Sequence, residues 1–221
     1  GLTHRRLRDL SGRSGLSSAG TATALLLRMR LIGYVQPDEL LSNGAAKRYR
    51  PTDHMTAAFR NRVRIELQAC ADLDPAAAEV LARLDEPGIF ARLIGELGGA
   101  AFEAARNPHP DARAIDVFAM RSAGMLIMYQ LLNDADDGGP FPPSDGEVDV
   151  SIAAYARRFK VSRSHVLTVL RDAESFGVLT RLDGGRVRME TEAGKVFRLF
   201  YAVIYLGLME GCRRTLDRLP A

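Results

Sequence analysis

The segment SIAAYARRFKVSRSHVLTVLRDAESFGVL, residues 151–179, carries the pattern that decides the fold. Ser151 and Ser162 each precede a run of apolar residues at helical spacing, and Ser is a preferred N-cap residue. The apolar face of the first predicted helix consists of Ile152, Tyr155, Ala156 and Phe159. The inward stripe of the second predicted helix consists of Val166, Val169, Leu170 and Ala173. Gly177 supplies the helix stop, so we predict two short helices joined by a tight turn.

A β-hairpin is predicted directly after the second helix. Residues 178–182 and 186–189 alternate in character, and Asp183, Gly184 and Gly185 form a turn sequence between them. The small Ala156 permits the two helices to cross closely. The segment therefore predicts the order helix, turn, helix, hairpin.

The first 50 residues repeat this order in a looser form. Leu7, Leu10 and Ser11 take the places of Ile152, Tyr155 and Ala156, and Ser18 takes the place of Ser162. The second helix of this copy has the predicted inward stripe Ala22, Leu25, Leu26 and Met29. Gly33 is its stop, and residues 34–36 are predicted to pair with residues 47–50. Two copies that share one spacing are stronger evidence than either copy alone.

Charge is distributed unevenly along the chain. The formal charge is +7 over residues 1–66, −8 over residues 67–146 and +4 over residues 147–221, which gives +3 overall. Basic ends suit contact with phosphates. The alternative explanation of the uneven charge is that the charged residues only form solvated faces. The longest apolar run, residues 200–209, is about half of the roughly 20 residues that a membrane span needs.

The middle of the chain is predicted to be helical. Helices are expected over residues 53–72, from Asp74-Pro75, from Glu86-Pro87, over one long stretch capped by Asp111, and over residues 192–218. Residues 134–146 are predicted to be a loop because of their Pro and Gly content. Met120, Met125 and Met128 favour ordinary core, with the wall of a ligand pocket as the alternative.

Both ends of the chain resemble the winged helix-turn-helix of bacterial transcriptional regulators, broadly the MarR-like repressors. The stretch from Leu16 to Arg50 resembles the recognition helix and wing of that group. The resemblance implies a mainly α fold with small β-hairpin wings, in which two winged domains, residues 1–66 and 111–221, flank a helical acidic region, residues 67–110. It further implies a homodimer that binds double-stranded DNA sequence-specifically and regulates transcription, with a small-molecule effector as a further expected partner.

The DNA-contacting residues follow from the expected docking of the second helix in the major groove and of the wing on the backbone. In the C-terminal copy, whose recognition helix spans residues 162–175, the candidates are Arg163, Ser164, His165, Thr168, Arg171, Arg181, Arg186 and Arg188. In the N-terminal copy, whose recognition helix spans residues 18–31, they are Ser18, Thr21, Thr23, Arg28, Lys47, Arg48 and Arg50. His165 is as readily an exposed or capping residue as a base contact.

Other function classes are disfavoured or remain as alternatives. The sequence has no GxSxG, P-loop, GxGxxG or HExxH motif, so we expect no enzyme. Cys70 and Cys212 lie far apart without a CxxC, so we expect no metal site and a reducing cytoplasmic location. No cofactor is expected either. A tandem winged protein-interaction scaffold for chromosome organisation and a replication initiator are the alternative functions.

Overall fold

The computed structural model describes residues 2–14, 18–39, 47–106, 113–119, 121–135 and 147–218. These residues are mainly helical and form ten α-helices and two three-stranded antiparallel sheets. The chain divides into two compact units, of which the first is Gly1–Pro108 with Tyr205–Ala221 and the second is His109–Ile204. The division into segments 1–66, 67–110 and 111–221 stays a prediction.

The first unit opens with a small sheet and two helices. In chain order these elements are β1 (Leu2–Thr3), α1 (His4–Ser14), α2 (Ala19–Leu31), β2 (Val35–Pro37) and β3 (Arg48–Pro51). Both outer strands pair antiparallel with β3, in the order β1-β3-β2. Gln36 lies opposite Arg50, so the two segments predicted to form a hairpin do pair. Ser18 caps α2 by accepting a hydrogen bond from the Thr21 N–H at 3.1 Å, and Gly33 follows the helix at a φ of +72°.

Three helices and the end of a fourth complete the first unit. They are α3 (Asp53–Ala71), α4 (Pro75–Ala82), α5 (Ile89–Arg106) and the last turns of α10 (Thr191–Asp217). Asp74 caps α4 as predicted, and its buried carboxylate also accepts a hydrogen bond from Arg213 at 2.5 Å. Helix α5 begins later than its predicted start at Pro87, because Gly88 adopts a φ of +87°.

The core of the first unit lies among these four helices. Its buried members are Val63, Leu67, Cys70, Ala77, Val80, Leu84, Ile89, Phe90, Leu93, Leu208 and Cys212. Two of them come from α10, so residues near the end of the chain complete a core built from residues 63–93.

The second unit contains the other sheet and its flanking helices. In chain order its elements are α6 (Arg113–Ala119), α7 (Gly124–Asp134), β4 (Glu147–Asp149), α8 (Ile152–Phe159), α9 (Arg163–Ser175), β5 (Leu179–Arg181), β6 (Arg186–Met189) and the first turns of α10. The strand order is β4-β6-β5, and β5 and β6 form the hairpin predicted over residues 178–189, with Thr180 opposite Arg188. Strand, helix, helix, strand, strand, helix is thus the element order at both ends of the chain, and in both sheets the third strand is central.

The prediction of one long helix capped by Asp111 is wrong, because the structure has two helices, α6 and α7, in this stretch. The Phe118 carbonyl accepts a hydrogen bond from the Arg121 N–H at 3.2 Å, and Ala123 takes a left-handed φ of 54°. A Cβ on Gly124 would lie 2.1 Å from the Phe118 carbonyl oxygen, so the chain turns there by close backbone approach. Asp111 and Met120 lie outside the described residues.

The core of the second unit contains the predicted stripe of α9 in full. Val166, Val169, Leu170 and Ala173 are all buried, and Met128 is buried with them. Phe197 of α10 is also fully buried there, with its ring centroid 6.4 Å from that of Phe118.

In the first unit, the prediction that Leu25 of α2 faces inward is wrong, because 52% of Leu25 is exposed. None of the helices in the described part of the chain combines the length and the apolar character that a membrane crossing requires.

Candidate nucleic-acid interface

Helix α9 presents a polar face opposite its buried stripe. Ser162 caps the helix by accepting a hydrogen bond from the His165 N–H at 3.1 Å. Ser164, Thr168 and Arg171 follow one another at helical spacing on the outward side, and Arg163 stands at the N-terminal end. Both arginines are exposed. The outward side of α9 therefore offers hydroxyl groups and the cationic side chain of Arg171, and Arg163 adds a second cation at the start of the helix.

Arg163 and Arg171 differ in their partners from Arg121, Arg181 and Arg186, which form ion pairs with carboxylates of the second unit. Within the described ranges, no carboxylate forms an ion pair with either guanidinium. Ser164 and Thr168 are held locally, since the Ser164 Oγ lies 2.9 Å from the Ser162 Oγ and the Thr168 Oγ1 donates to the Ser164 carbonyl at 2.9 Å. As far as the described residues are concerned, the two guanidinium groups are thus available to an external acceptor.

His165 does not share the exposed face. It is half-buried, and its Nε2 lies 2.7 Å from the Ser122 carbonyl oxygen. This contact ties the start of α9 to the turn that precedes α7. The ring therefore joins two parts of the second unit.

Two arginines of the hairpin β5–β6 have carboxylate partners within the protein. The Arg181 Nε lies 2.7 Å from Glu174, and the Arg181 backbone N–H donates to the same carboxylate at 3.0 Å. These two bonds lower the pKa of Glu174. Arg186 pairs with Glu147 at 2.5 Å, whereas Arg188 is exposed and lies opposite Glu147 in the β4–β6 register. The hairpin is therefore mixed in charge.

A second basic cluster precedes α9 and was missed by sequence reasoning. Arg157 and Arg158 lie in the last turn of α8, and Lys160 caps that helix in a left-handed conformation with a φ of 54°. All three side chains are exposed and come just before Arg163 in the chain. The run ARRFK was the available signal, because it places three cations beside the predicted turn.

The candidate DNA-contacting residues on α2 form less of a common exposed surface than those on α9. Ser18 is occupied as the cap of α2, and its Oγ lies 3.0 Å from the Thr21 Oγ1. Thr23 is half-buried, with its Oγ1 2.8 Å from the Nε2 of His4 and donating to the Ala19 carbonyl at 2.9 Å. Arg28 is exposed on α2. On α2, Thr23 thus contacts the protein itself, whereas Thr21, Arg28 and Arg30 are exposed.

In the N-terminal copy, the exposed basic residues lie mainly on the β2–β3 hairpin and on α1. Lys47 and Arg50 are exposed, and Arg48 is half-buried. Further exposed cations that sequence reasoning missed lie on α1, namely Arg5, Arg6, Arg8 and Arg13. These side chains supply positive charge, but they do not define one helix face that could contact base edges.

The two cysteines belong to the core and not to a site. Cys70 and Cys212 are both buried and are not joined in a disulfide. Burial raises the pKa of the Cys70 thiol, and it raises that of Cys212 to about 12. Across the described residues, His, Cys, Asp and Glu side chains form no group of three that could hold a metal ion.

Comparison with known proteins gives no relative from which a role could be taken. The chain matches no protein-family model, and no curated protein or solved structure is significantly similar to it.

Proposed function

We propose that the chain is a transcriptional regulator that binds double-stranded DNA sequence-specifically, and that β4 to β6 with α8 and α9 form a winged helix-turn-helix domain. The observation that carries the proposal concerns two arginines of α9. Arg163 at the start of the helix and Arg171 on its outward face are exposed and lack a carboxylate partner among the described residues.

The chemistry of this face suits base recognition. An arginine can donate two hydrogen bonds to O6 and N7 of one guanine, which is the commonest specific contact in the major groove. Hydroxyl groups such as that of Ser164 can donate to a phosphate or a base edge. Because Arg157, Arg158 and Lys160 flank the start of α9, phosphate contacts can fix its register on the duplex.

The N-terminal copy, which we propose to be a second winged domain, has a supporting role in binding. Its cations on α1 and on the β2–β3 hairpin can contact phosphates, which carry no sequence information. Pairing of two chains as a homodimer would double the set of recognition helices and lengthen the bound site. The homodimer, the effector and the cytoplasmic location stay predictions.

Fluorescence anisotropy with the full chain tests the proposal. The probe is genomic duplex carrying the upstream region of the protein's own gene, with random duplex as competitor, from low to physiological salt. We expect binding that survives the competitor and weakens as salt rises, because phosphate contacts release counterions. Binding that the competitor abolishes contradicts sequence-specific regulation.

A pair of arginine substitutions assigns the binding to α9. Arg171→Ala is expected to weaken binding to the specific duplex about tenfold, with a smaller loss on random duplex, because a bidentate base contact is worth about 1–3 kcal/mol. The matched control is Arg198→Ala, which removes an exposed arginine of α10 in the same unit. Equal losses from both substitutions, or equal losses on both duplexes, contradict the assignment.

A further inference from the structure

The two helix pairs can be compared position by position, because Ser18 and Ser162 cap α2 and α9 in the same way. The outward positions of α9 are Ser164, Thr168, Arg171 and Ser175. The corresponding positions of α2 are Gly20, Ala24, Leu27 and Leu31. One copy thus has a polar and cationic outward face where the other copy has an apolar one.

The apolar face of α2 is open to solvent. Leu27 is 51% exposed and Leu31 is 88% exposed. Neither side chain can donate or accept a hydrogen bond, so this face has no means of reading polar base edges. Exposed apolar surface at adjoining positions is instead typical of a protein-binding site.

A groove of about 600 Å³ adjoins this face. Its apolar lining is Leu27, Leu31, Val35 and Pro37. The Thr52 Oγ1 donates to the Gly33 carbonyl at 2.6 Å and also contacts the Tyr34 carbonyl at 3.2 Å. These bonds join the start of α3 to the chain between α2 and β2, so the groove wall is formed before anything binds.

The charge around the face selects the partner. Helix α2 contains no acidic residue, and its two arginines lie on opposite sides of the apolar stripe, since Arg28 follows Leu27 and Arg30 precedes Leu31 on a helix that turns about 100° per residue. The Arg30 guanidinium lies 5.6 Å from the ring centroid of Tyr49, which keeps it at the groove. A second α2 packed on this face would bring arginine against arginine.

We propose that the outward face of α2 and its groove form a docking surface for an acidic amphipathic helix of a partner protein. Leucine-type side chains of the partner fill the groove between α2 and β2, and its flanking carboxylates pair with Arg28 and Arg30. This mode is helix-in-groove recognition, in which residues at i, i+3 or i+4, and i+7 are the anchors. The inference goes beyond DNA binding and does not depend on α9.

Anisotropy of labelled synthetic peptides with the full chain tests the inference. One probe peptide is a helix with leucines at i, i+4 and i+7 and glutamates beside them, and its matched control replaces each glutamate by lysine. We expect the acidic peptide to bind at least about tenfold more tightly than the basic one, because its glutamates attract Arg28 and Arg30 whereas lysines at the same positions repel them. Equal binding of the two peptides overturns the proposal.

Leucine substitutions on the protein locate the surface. Leu31→Ser is expected to weaken binding of the acidic peptide at least about tenfold, because an anchor side chain is lost. The matched control is Leu73→Ser, which alters a leucine of the same unit that is 76% exposed outside the groove. Unchanged peptide binding by the Leu31→Ser protein, or an equal loss from Leu73→Ser, overturns the proposal.

Two further measurements on the same Leu31→Ser protein show whether a partner helix, a second copy of the chain or DNA occupies the outward face of α2. If it loses self-association in sedimentation, a second copy occupies the face and the proposal is overturned. If it loses affinity for the specific duplex as much as Arg171→Ala does, DNA occupies the face and the proposal is again overturned. Unchanged mass and unchanged DNA binding, together with lost peptide binding, support it.

Discussion

Arginines of the second unit fall into two groups according to what their guanidinium groups contact. Arg181 and Arg186 pair with Glu174 and Glu147, so a phosphate must compete with a carboxylate that is already in place. Arg163 and Arg171 have no such partner among the described residues. The cost of breaking an internal pair favours α9 over the hairpin as the main source of the proposed DNA binding.

The pair between Glu174 and Arg181 makes stability depend on pH. The pKa of Glu174 is lowered because the backbone and the side chain of Arg181 donate to its carboxylate. A lowered pKa contributes stability that is present above 4.5, the ordinary value here, and that is lost as the pH falls through the folded-state value. We expect Glu174→Gln to be less stable than the parent at neutral pH, with the difference disappearing in acid.

Thermal denaturation from neutral to acid pH measures this difference. The matched control is Glu192→Gln, whose carboxylate pairs with Lys195 on the exposed side of α10 and accepts no backbone bond from a neighbouring strand among the described contacts. A Glu174→Gln protein whose melting curve tracks the parent at every pH contradicts the expectation.

His165 is expected to affect stability more than DNA specificity. His165→Ala removes the contact with the Ser122 carbonyl and should lower the free energy of unfolding by about 1 kcal/mol, the usual net value of one hydrogen bond. Urea denaturation checks this value, with Ser164→Ala as the neighbouring exposed control. A His165→Ala protein of parental stability with altered base preference contradicts this structural role.

At the scale of elements, signals local in the sequence led to correct predictions and non-local ones were missed. The caps Ser18, Ser162 and Asp74 were predictable because each sits directly before an apolar helical pattern. Strands β1 and β4 were missed because two or three residues carry no period, and their pairing with β3 and β6 bridges distant parts of the chain.

The candidate site was predictable to a similar extent. The outward side of α9 follows from the stripe that it buries, so Arg163 and Arg171 could be located from sequence. The partners of Arg181 and His165 could not, because Glu174 and Ser122 reach them only through the hairpin register and the turn before α7. The break between α6 and α7 was hidden because the apolar spacing continues across it.

That break gives a prediction for Gly124. Gly124→Ala would place a Cβ 2.1 Å from the Phe118 carbonyl oxygen, and backbone on both sides of the turn would have to move. We expect the second unit to lose about 1–3 kcal/mol of stability, the usual cost of overpacking. Chemical denaturation followed by circular dichroism measures it.

Gly98→Ala is the matched control for that change. Gly98 lies inside α5, and a Cβ there meets nothing within 4 Å. Because alanine is the better helix former by about 1 kcal/mol, the control is expected to be neutral or stabilising. Destabilisation by both substitutions would show that glycine replacement as such, and not the close approach at Phe118, is responsible.

At the scale of the whole molecule, α10 contributes to both cores. Phe197, in its first half, is buried in the second unit, and Leu208, in its second half, is buried in the first. Phe197→Ala is expected to lower hydrogen-exchange protection in α7 and α9, and Leu208→Ala in α3 to α5. Each loss should be about 2–5 kcal/mol, the usual range for emptying a buried apolar site.

Leu206→Ala is the control for the second of these changes. Leu206 lies two residues before Leu208 on α10, but it is 60% exposed. Its removal is expected to leave protection in both units unchanged. Equal effects of Leu206→Ala and Leu208→Ala would contradict the proposed division of α10 between the cores.

Because α10 contributes to both cores, the order of synthesis along the chain decides when the core of the first unit can be completed. A chain emerges from the ribosome N-terminus first, and the core around Leu67, Leu84 and Leu93 lacks Leu208 and Cys212 until more than 100 further residues have been made. At about 10 residues per second, roughly 10 s of synthesis separates Leu93 from Cys212. During that interval the apolar faces of α3 to α5 are without their last neighbour, so the core of the first unit is completed only after the whole second unit has been synthesised.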